Sequence, residues 1–363
     1  MKYVSEFDNT AAAAALAGKI KKTCAEIGRP VKLMEVCGTH TVAIFRHGLR
    51  SLFPAGLRLV SGPGCPVCVT AADYVDSAIK LSGTRDVIIT TFGDMIRVPG
   101  SSSNLAEKRA DGADVRVCYS PSDAIEIADK NPLKNVVFLG VGFETTIPAI
   151  AGTILEASKK GLKNFSILSA FKRIPPTMRV LVSDKSLEID GFICPAHVSA
   201  IIGSDAYRFL ATEFRKPCVV AGFEPLDILY GVLGALEMMV SGKAEVVNQY
   251  SRVVKAEGNI KAQKIIDEVF GLSSAVWRGI GPIPDTGYVI REKYSRFDAW
   301  KRFDASVPQR VENPGCKCGD VLRGAIEPGQ CPLFGKVCTP DMPIGPCMVS
   351  SEGSCAAHYR YGR

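Results

Sequence analysis

The stretch Leu33-Met-Glu-Val-Cys-Gly-Thr-His-Thr-Val-Ala-Ile44 returns, in its order of apolar and polar residues, at Phe138-Leu-Gly-Val-Gly-Phe-Glu-Thr-Thr-Ile-Pro-Ala149. In both places a short apolar run precedes a helical pattern, which is typical of a buried strand that leads into a crossover helix. Two shorter matches are Gly64-Cys-Pro-Val67 with Ile193-Cys-Pro-Ala196, and Thr91-Phe-Gly-Asp94 with Ala221-Gly-Phe-Glu224. The sequence therefore predicts two copies of one α/β unit, the second with an insertion near residues 160–185.

Seven short apolar runs predict the strands of these units, and helical patterns lie between most of them. The runs are Val31–Val36, Leu57–Val60, Asp86–Thr91, Asn135–Leu139, Phe165–Leu168, Gly191–Cys194 and Pro217–Val220. Strands that alternate with helices favour parallel sheets. We expect an α/β fold in which two similar parallel-sheet domains face a cleft, because paired units offer their strand ends and helix starts there.

A third, helical and loop-rich domain is expected from the change of pattern after Ser241. A helix is predicted over Asn259–Phe270, a Gly/Pro-rich connection follows through Ile280–Asp285, and glycine, proline and cysteine dominate from Pro314 onward. Such a tail cannot bury enough apolar surface alone and needs an inorganic staple or a neighbouring domain. The predicted domains are residues 26–130, residues 131–240, and residues 1–25 together with 241–363.

The composition is that of a globular protein: 363 residues, 47% hydrophobic and 22% charged. No apolar run approaches the ~20 residues of a membrane-spanning helix. Ala11–Ala17 resembles the core of a signal peptide, but the charged residues around it favour a surface helix capped by Asn9 or Thr10. We therefore expect a cytoplasmic protein. Acidic residues interrupt the basic and aromatic stretch 291–302, which favours a solvated helix over a nucleic-acid site.

The chain has thirteen cysteines, and six of them lie in its last 48 residues. An odd count without export makes a disulfide framework unexpected and favours metal binding or redox chemistry. Cys316, Cys331, Cys338 and Cys355 are separated by 14, 6 and 16 residues. Zinc sites usually use gaps of about two to four residues, whereas longer gaps suit a cubane cluster held by four thiolates from loops. Cys318 and Cys347 remain alternative ligands.

A second group of cysteines comes from the first α/β unit. Cys65-Pro-Val-Cys68 follows a predicted strand and two glycines and precedes a helix expected near Thr70. Because a helix start stabilises a thiolate and two intervening residues allow a disulfide, the pair suits redox exchange or soft-metal binding. Two half-buried cysteines at a strand end are the structural alternative.

Three further motifs end predicted strands. In Cys37-Gly-Thr-His40-Thr, the histidine suits a ligand, a base or a hydrogen-bond donor, although a packing cysteine is the plainer interpretation. Asp94 is a candidate to orient His40 or to move protons, with a helix N-cap as its alternative. Gly140-Val-Gly-Phe-Glu144-Thr favours a tight turn over a dinucleotide fingerprint, with Glu144 expected to face the cleft.

Together these motifs resemble the HypD family of hydrogenase maturation proteins, over nearly the whole chain. The motifs are Cys37-Gly-Thr-His-Thr41, Gly62-Pro-Gly-Cys-Pro-Val-Cys68, Thr91-Phe-Gly-Asp94, Gly142-Phe-Glu-Thr-Thr146, Gly191-Phe-Ile-Cys-Pro-Ala-His-Val198 and the cysteine-rich tail. The resemblance implies two similar α/β domains and a third domain that carries a [4Fe-4S] cluster.

The resemblance also implies roles. Proteins of this family form a scaffold on which the iron of [NiFe] hydrogenase receives its cyanide and carbonyl ligands, which gives an Fe(CN)2CO group. The implied partners are a HypC-type small chaperone and a HypE-type protein that donates the cyanide. Cys37 would hold this mononuclear iron together with a chaperone cysteine, and Cys65 and Cys68 would form a redox pair. The cluster ligands would be Cys316, Cys331, Cys338 and Cys355.

Three functional hypotheses follow. The first is an assembly scaffold with redox activity, for which the term enzyme is left open. The second is a thiol–disulfide oxidoreductase in which an iron–sulfur cluster feeds electrons to Cys65 and Cys68 and onward to a protein substrate, without a need for Cys37, His40 or mononuclear iron. The third is a zinc-stapled interaction protein without redox function. No nucleic-acid partner and no membrane insertion are expected.

Overall fold

The computed structural model describes residues 9–308 and 313–362. Its strands are β1 (Val31–Glu35), β2 (Leu57–Ser61), β3 (Val87–Thr91), β4 (Val115–Val117), β5 (Asn135–Gly140), β6 (Phe165–Ser169), β7 (Gly191–Pro195), β8 (Cys218–Ala221), β9 (Val246–Asn248), β10 (Phe270–Trp277) and β11 (Gly281–Ile290). All seven predicted strands are confirmed within about one residue at each end.

Helices lie between most of these strands. They are α1 (Thr10–Ile27), α2 (Gly38–Arg46), α3 (Ala72–Ser82), α4 (Leu105–Ala110), α5 (Pro121–Lys130), α6 (Ile147–Lys160), α7 (Ile174–Ser183), α8 (Ala196–Ile202), α9 (Arg208–Thr212), α10 (Pro225–Val240), α11 (Ile260–Val269), α12 (Ala299–Arg302), α13 (Cys318–Leu322), α14 (Pro346–Val349) and α15 (Ser354–Tyr361). The predicted cap of the first helix is confirmed, since the Asn9 side chain accepts a hydrogen bond from the Ala12 amide at 3.0 Å.

Two parallel sheets form the frame of the molecule. The first has the strand order β2-β1-β7-β8-β9 and the second has the order β4-β3-β5-β6. Neighbouring strands of both sheets pair in parallel. One apolar cluster includes residues of both sheets and of the cysteine-rich tail, among them Met34, Ile89 and Cys347. The expected α/β architecture with parallel sheets is therefore confirmed, while the cleft between two domains stays a prediction.

The sheets exchange strands between the two halves of the chain. In the first sheet, the pair β2-β1 from the first half lies beside β7-β8 from the second half. In the second sheet, the pair β6-β5 from the second half lies beside β3-β4 from the first half. Read from the opposite edge, the second sheet has the order β6-β5-β3-β4, which matches β2-β1-β7-β8 of the first sheet. In this match β1 corresponds to β5 and β7 corresponds to β3. The match of residues 33–44 with 138–149 agrees with this correspondence.

The other two sequence matches pair segments at the ends of strands that do not correspond to each other in the two sheets. Gly64–Val67 follows β2, whereas Ile193–Ala196 lies at the end of β7. Thr91–Asp94 ends β3, whereas Ala221–Glu224 ends β8. Glycine and proline recur wherever a strand gives way to a helix, so a shared turn composition produced these two matches.

The exchange of strands also affects the predicted division at residues 130 and 131. That division keeps β1 to β4 together, but β1 and β2 pair in a different sheet from β3 and β4. Helix α1, most of which was expected with the third domain, contributes to the core of the first sheet. Leu16 and Ile20 of α1 share an apolar cluster with Leu229 and Leu233 of α10. Sheet membership therefore does not follow the order of the sequence.

The segment after α11 departs furthest from prediction. The expected Gly/Pro-rich connection at Ile280–Asp285 falls largely inside β11, which forms an antiparallel hairpin with β10. Proline is tolerated there because both strands of a two-stranded sheet are edges with free hydrogen-bonding sides. The expected solvated helix at 291–302 is replaced by a 3-10 turn, Glu292–Phe297, and α12, and Phe297 is buried.

Within the described parts of the chain, no helix is long and apolar enough to cross a membrane. The longest helix, α1, carries lysines and polar residues along its exposed side.

The strand exchange predicts that the halves of the chain depend on each other for folding. A fragment of residues 1–132 would contain only the pairs β1-β2 and β3-β4, and an isolated two-stranded sheet is marginally stable at best. We expect fragments 1–132 and 133–363, each produced alone, to lack a cooperative thermal transition, and the co-expressed pair to co-purify and show one. A cooperative transition in the isolated fragment 1–132 would contradict the exchanged arrangement.

Candidate functional site

The motifs of the sequence analysis converge at the carboxyl edge of the first sheet. Cys37 follows β1, and Cys65 and Cys68 follow β2, which is the neighbour of β1 on one side. On the other side, His197 follows β7 and Phe223 follows β8. Because parallel strands end at a common edge, residues far apart in sequence meet there, as in other open α/β sheets. This edge is the candidate functional site.

Direct backbone packing joins the first two motifs. The Gly38 amide donates a hydrogen bond to the Gly64 carbonyl at 3.0 Å. A Cβ atom placed on Gly64 would lie 2.3 Å from the Cys37 amide nitrogen and 2.4 Å from the Cys37 Cα. Such distances are far inside van der Waals contact, so only glycine fits at this position. The residue immediately before Cys65 is therefore pressed against Cys37.

Cys37 itself is nearly enclosed. Cys37 is 7% exposed and lies immediately before the first turn of α2. Burial raises the pKa of its thiol to about 12, and the nearby carboxylates Glu352 and Glu35 act in the same direction. In the protein alone, the thiol form is therefore favoured, and a bound cation would be needed to favour the thiolate.

Glu35 lies beneath Cys37 and was missed by the sequence analysis. It is 1% exposed, and its carboxyl accepts hydrogen bonds from the Cys37 amide at 3.1 Å and from the Thr41 hydroxyl at 2.5 Å. Burial raises the pKa of Glu35 to about 8. The only signal in the sequence was a charged residue inside the apolar run of β1, which is unusual for a buried parallel strand.

His40 is fully buried and faces the end of β8. Its Nε2 lies 2.8 Å from the Gly222 carbonyl oxygen and 3.1 Å from the Ala221 carbonyl oxygen. Because carbonyls only accept hydrogen bonds, Nε2 carries the proton and Nδ1 is left as an acceptor. Burial lowers the pKa of His40 to about 4, so the ring is neutral near pH 7. Of its predicted roles, the structure shows that of hydrogen-bond donor.

The ring of Phe223 lies between two histidines. Its centroid is 4.8 Å from that of His40 and 4.3 Å from that of His197. His197 is exposed, and partial burial lowers its pKa. His197 belongs to the motif Gly191–Val198, for which the sequence predicted no role of the histidine. Like His40, His197 lies in the first turn of a helix that follows a strand. This shared position was the signal in the sequence that could have identified His197.

Cys65 and Cys68 form a disulfide in the turn between β2 and α3. Both are buried, and the Cys68 amide donates a hydrogen bond to the Cys65 sulfur at 3.2 Å. The helix predicted near Thr70 begins at Ala72. The next turn packs on the β10–β11 hairpin, where the Arg278 amide donates to the Val69 carbonyl at 2.9 Å. The disulfide is thus held between the first sheet and the hairpin.

Asp94 does not occupy its predicted position. It follows β3 of the second sheet, in a 3-10 turn Gly93–Arg97, and no hydrogen bond joins it to His40 within the described residues. Its carboxylate accepts hydrogen bonds from the hydroxyls of Ser350 at 2.9 Å and Ser351 at 3.3 Å. The described hydrogen bonds therefore do not support the expected orientation of His40 by Asp94, because the strand before Asp94 belongs to the other sheet. Proton transfer by Asp94 stays a prediction.

The cysteine-rich tail reaches Cys37 through Glu352. The Thr39 hydroxyl donates a hydrogen bond to the Glu352 carboxylate at 2.9 Å. A Cβ on Gly38 would lie 2.5 Å from the Glu352 Cβ, so the two backbones are in close contact. Burial raises the pKa of Glu352. No local pattern points to Glu352, because its contact with Thr39 spans most of the chain.

Five of the six tail cysteines interact through their sulfur atoms. The Cys316 and Cys318 sulfurs are 3.3 Å apart, and hydrogen bonds from Cys318 and Cys347 lower the pKa of the Cys355 thiol. Charge on Cys316 and Cys318 acts on Cys338. Within the described residues the half-buried Cys331 side chain makes no hydrogen bond. The structure thus brings together the five cysteines 316, 318, 338, 347 and 355.

The donors of this thiol group suit an iron–sulfur cluster or another soft metal, since thiolates are soft ligands. Gly345 leaves space beside them, because a Cβ there would lie 2.6 Å from the sulfurs of both Cys316 and Cys318. Among residues 9–308 and 313–362, no three Cys, His, Asp or Glu side chains have the geometry of a metal site as they stand. Tetrahedral zinc would hold its sulfurs roughly 3.8 Å apart, so the Cys316–Cys318 pair would have to separate.

The hairpin connects the thiol group with the disulfide turn. Gly279 contacts Gly319 so closely that a Cβ on Gly279 would lie 2.1 Å from the Gly319 Cα. The positive charge of Arg278 acts on the Cys316 thiol. The Arg278 amide also donates a hydrogen bond to the Val69 carbonyl, in the turn that follows Cys68. The tip of the hairpin therefore contacts both the disulfide turn and the segment of the tail cysteines.

Glu144 is buried next to the start of α7. Its Oε1 accepts a hydrogen bond from the Ile174 amide at 3.0 Å, at the first residue of α7. Its Oε2 has no hydrogen-bond partner within the described residues, and burial raises its pKa to about 7. The predicted tight turn at Gly140–Thr145 is confirmed. The Glu144 side chain accepts a hydrogen bond from the first amide of α7. The expected position of Glu144 facing a cleft stays a prediction.

Comparison with known proteins gives one consistent family. Residues 11–362 match the family model HypD, described as "Hydrogenase formation hypA family". The chain is 46% identical to the hydrogenase maturation factor HypD2 of Bradyrhizobium diazoefficiens, covering 100% of this chain and 97% of the relative. It is 47% identical to the hydrogenase maturation factor HypD of Azotobacter vinelandii, again covering 100% and 97%.

A third relative is the hydrogenase maturation factor HypD of Escherichia coli, at 45% identity over 92% of this chain and 90% of the relative. The family match spans both sheets, the hairpin and the cysteine-rich tail. With the Cys37, Cys65 and Cys68 motifs at one sheet edge and the tail packed on them, the chain belongs to the HypD family.

Proposed function

We propose that this protein is a hydrogenase maturation factor that acts as a scaffold, together with a HypC-type small chaperone, for assembly of the Fe(CN)2CO group of [NiFe] hydrogenase. A HypE-type protein would supply the cyanide. The observation that carries the proposal is the contact of Gly64 with Cys37, because it places the Cys65–Cys68 disulfide beside a nearly enclosed cysteine. Membership of the HypD family supports the assignment of the reaction.

Cys37 is proposed as the ligand of the iron that is being assembled. A thiolate is a soft, electron-rich donor and suits low-spin iron with strong-field ligands. Burial disfavours the free thiolate of Cys37, so deprotonation would accompany iron binding. A chaperone cysteine would provide a second thiolate, and the 7% exposure of Cys37 marks the small opening toward such a partner.

Cys65 and Cys68 are proposed as the redox pair. Reduction of their disulfide takes two electrons and two protons and gives two thiols. Their turn packs against the hairpin that also contacts the tail cysteines, through Arg278 and Gly279. This packing supports a relay in which the tail and the disulfide belong to one redox unit.

The tail is proposed to hold a [4Fe-4S] cluster, which would supply single-electron transfer when bound. The family pattern implies Cys316, Cys331, Cys338 and Cys355 as its ligands. Cys318 and Cys347 are the alternatives, because both interact with Cys355 through sulfur. The protein's part is to gather the thiolates and to hold Gly345 close beside them.

Replacement of Cys37 tests the scaffold. We expect Cys37→Ala to reduce hydrogenase maturation at least a hundredfold and to remove the cyanide and carbonyl infrared bands from the purified complex with the chaperone. Cys24→Ala is the matched control, since Cys24 lies on α1 away from the site, and it should keep both. Unchanged infrared bands in Cys37→Ala would contradict the proposal and favour a plain disulfide oxidoreductase.

Thiol counting tests the redox pair. In denaturant without reductant, alkylation of cluster-free protein should label 11 cysteines, because 13 cysteines less the two in the disulfide leave 11. After reduction, all 13 should react. In Cys65→Ser the count should be 12 with and without reductant. Labelling of all 13 in oxidised wild-type protein would exclude the disulfide.

Iron analysis of single variants tests the cluster. We expect Cys316→Ala, Cys331→Ala, Cys338→Ala and Cys355→Ala, prepared without oxygen, each to lose most bound iron and sulfide. Cys318→Ala and Cys347→Ala should retain them, with the same fold by circular dichroism. If Cys331→Ala keeps its iron and sulfide while Cys347→Ala loses them, Cys347 and not Cys331 is a cluster ligand. Iron-free protein that contains only zinc would reject the cluster.

A further inference from the structure

A cavity of about 380 Å³ lies between the second sheet and the β10–β11 hairpin, outside the site described above. Its walls come from the start of α3, the residues that follow β6, and the facing strands of the hairpin. Trp300 and Tyr288 contribute aromatic surface, while Asp73 and Lys172 contribute charge. None of the cysteines proposed for hydrogenase maturation lines this cavity.

Lys172 is the unusual member of this lining. The residue is only 3% exposed, yet its ammonium makes one long hydrogen bond, to the Ala170 carbonyl at 3.5 Å. It lies 5.8 Å from the ring centroid of Trp277, and no ion pair joins it to a carboxylate within the described residues. An ammonium has three donors, and burying them without partners costs free energy.

The surroundings favour an anionic partner for Lys172. Burial lowers the pKa of Lys172 to about 8, while the charge of Asp73 acts in the opposite direction. The Asp73 carboxylate accepts a hydrogen bond from the Tyr74 amide at 2.8 Å, in the first turn of α3. It therefore has a local partner and is not hydrogen-bonded to the ammonium. A ligand carboxylate would satisfy the remaining donors of Lys172.

We propose that this cavity binds a small organic molecule with a single carboxylate, which pairs with Lys172 while its apolar part packs on Trp300 and Tyr288. The negative charge of Asp73 in the same lining disfavours phosphate and other multiply charged anions. The cavity volume falls within the range of small-molecule sites, which are mostly apolar with a few polar groups that fix orientation.

Intrinsic fluorescence tests the proposal on the full-length protein. The chain has two tryptophans, of which Trp300 lines the cavity and Trp277 lies beside Lys172. We expect butyrate and benzoate to change the fluorescence saturably, and isothermal calorimetry to give the same dissociation constants. Butyramide, the neutral analogue of butyrate, and inorganic phosphate should each bind at least tenfold more weakly.

Variants connect the signal to Lys172. We expect Lys172→Met to weaken butyrate binding at least tenfold, and Lys172→Arg, which keeps the charge, to retain part of it. Lys163→Met is the matched control, because Lys163 is an exposed lysine just before β6 and should leave binding unchanged. Circular dichroism and thermal unfolding verify the fold of each variant.

Three results would overturn the proposal. They are no saturable response to either carboxylate, phosphate binding as tight as that of butyrate, and equal butyrate affinity in folded Lys172→Met and wild-type protein. The first would leave Lys172 as a purely structural residue. The second would replace the carboxylate class by phosphates, and the third would move the binding site elsewhere.

Discussion

The position of β1 between β2 and β7 is the constraint on which the site depends. Parallel pairing on both sides fixes the end of β1 beside the turn after β2 and near the ends of β7 and β8. Cys37 then lies where Gly64 must pack, and His40 lies where the carbonyls of β8 end. Backbone geometry, more than any single side chain, therefore brings the cysteine and histidine motifs together.

Buried polar groups surround this meeting point. Glu35, His40 and Glu352 all lie within the packed region, and each has at least one hydrogen bond that accounts for its burial. Burial favours the neutral form of all three groups, as it does for the thiol of Cys37. A bound cation would act in the opposite direction, because a nearby positive charge favours the charged forms of carboxyl and thiol groups.

Local pattern predicted seven of the eleven described strands to within about one residue, because apolar runs and glycine turns are short-range signals. It also predicted that Cys37 would lie at a strand end, in the same α/β unit as Cys65 and Cys68. It failed where pairing decides the outcome. The sequence could not show that β3 belongs to the second sheet, so Asp94 was expected beside His40. It did not show the hairpin, because the prolines of β11 resemble a connection. Glu352 reaches Thr39 across most of the chain, a contact that no local pattern records.

The exchanged strands have a consequence for synthesis on the ribosome. After β2 emerges, all four strands of the second sheet are synthesised before β7, β8 and β9 arrive to complete the first. Throughout that interval Cys37, Cys65 and Cys68 lie at the end of an unfinished two-strand ribbon. Contacts of such long sequence separation form slowly. The reactive sulfurs of a nascent molecule are therefore open to oxidants and stray metal ions for longer than in a protein whose domains fold one after another.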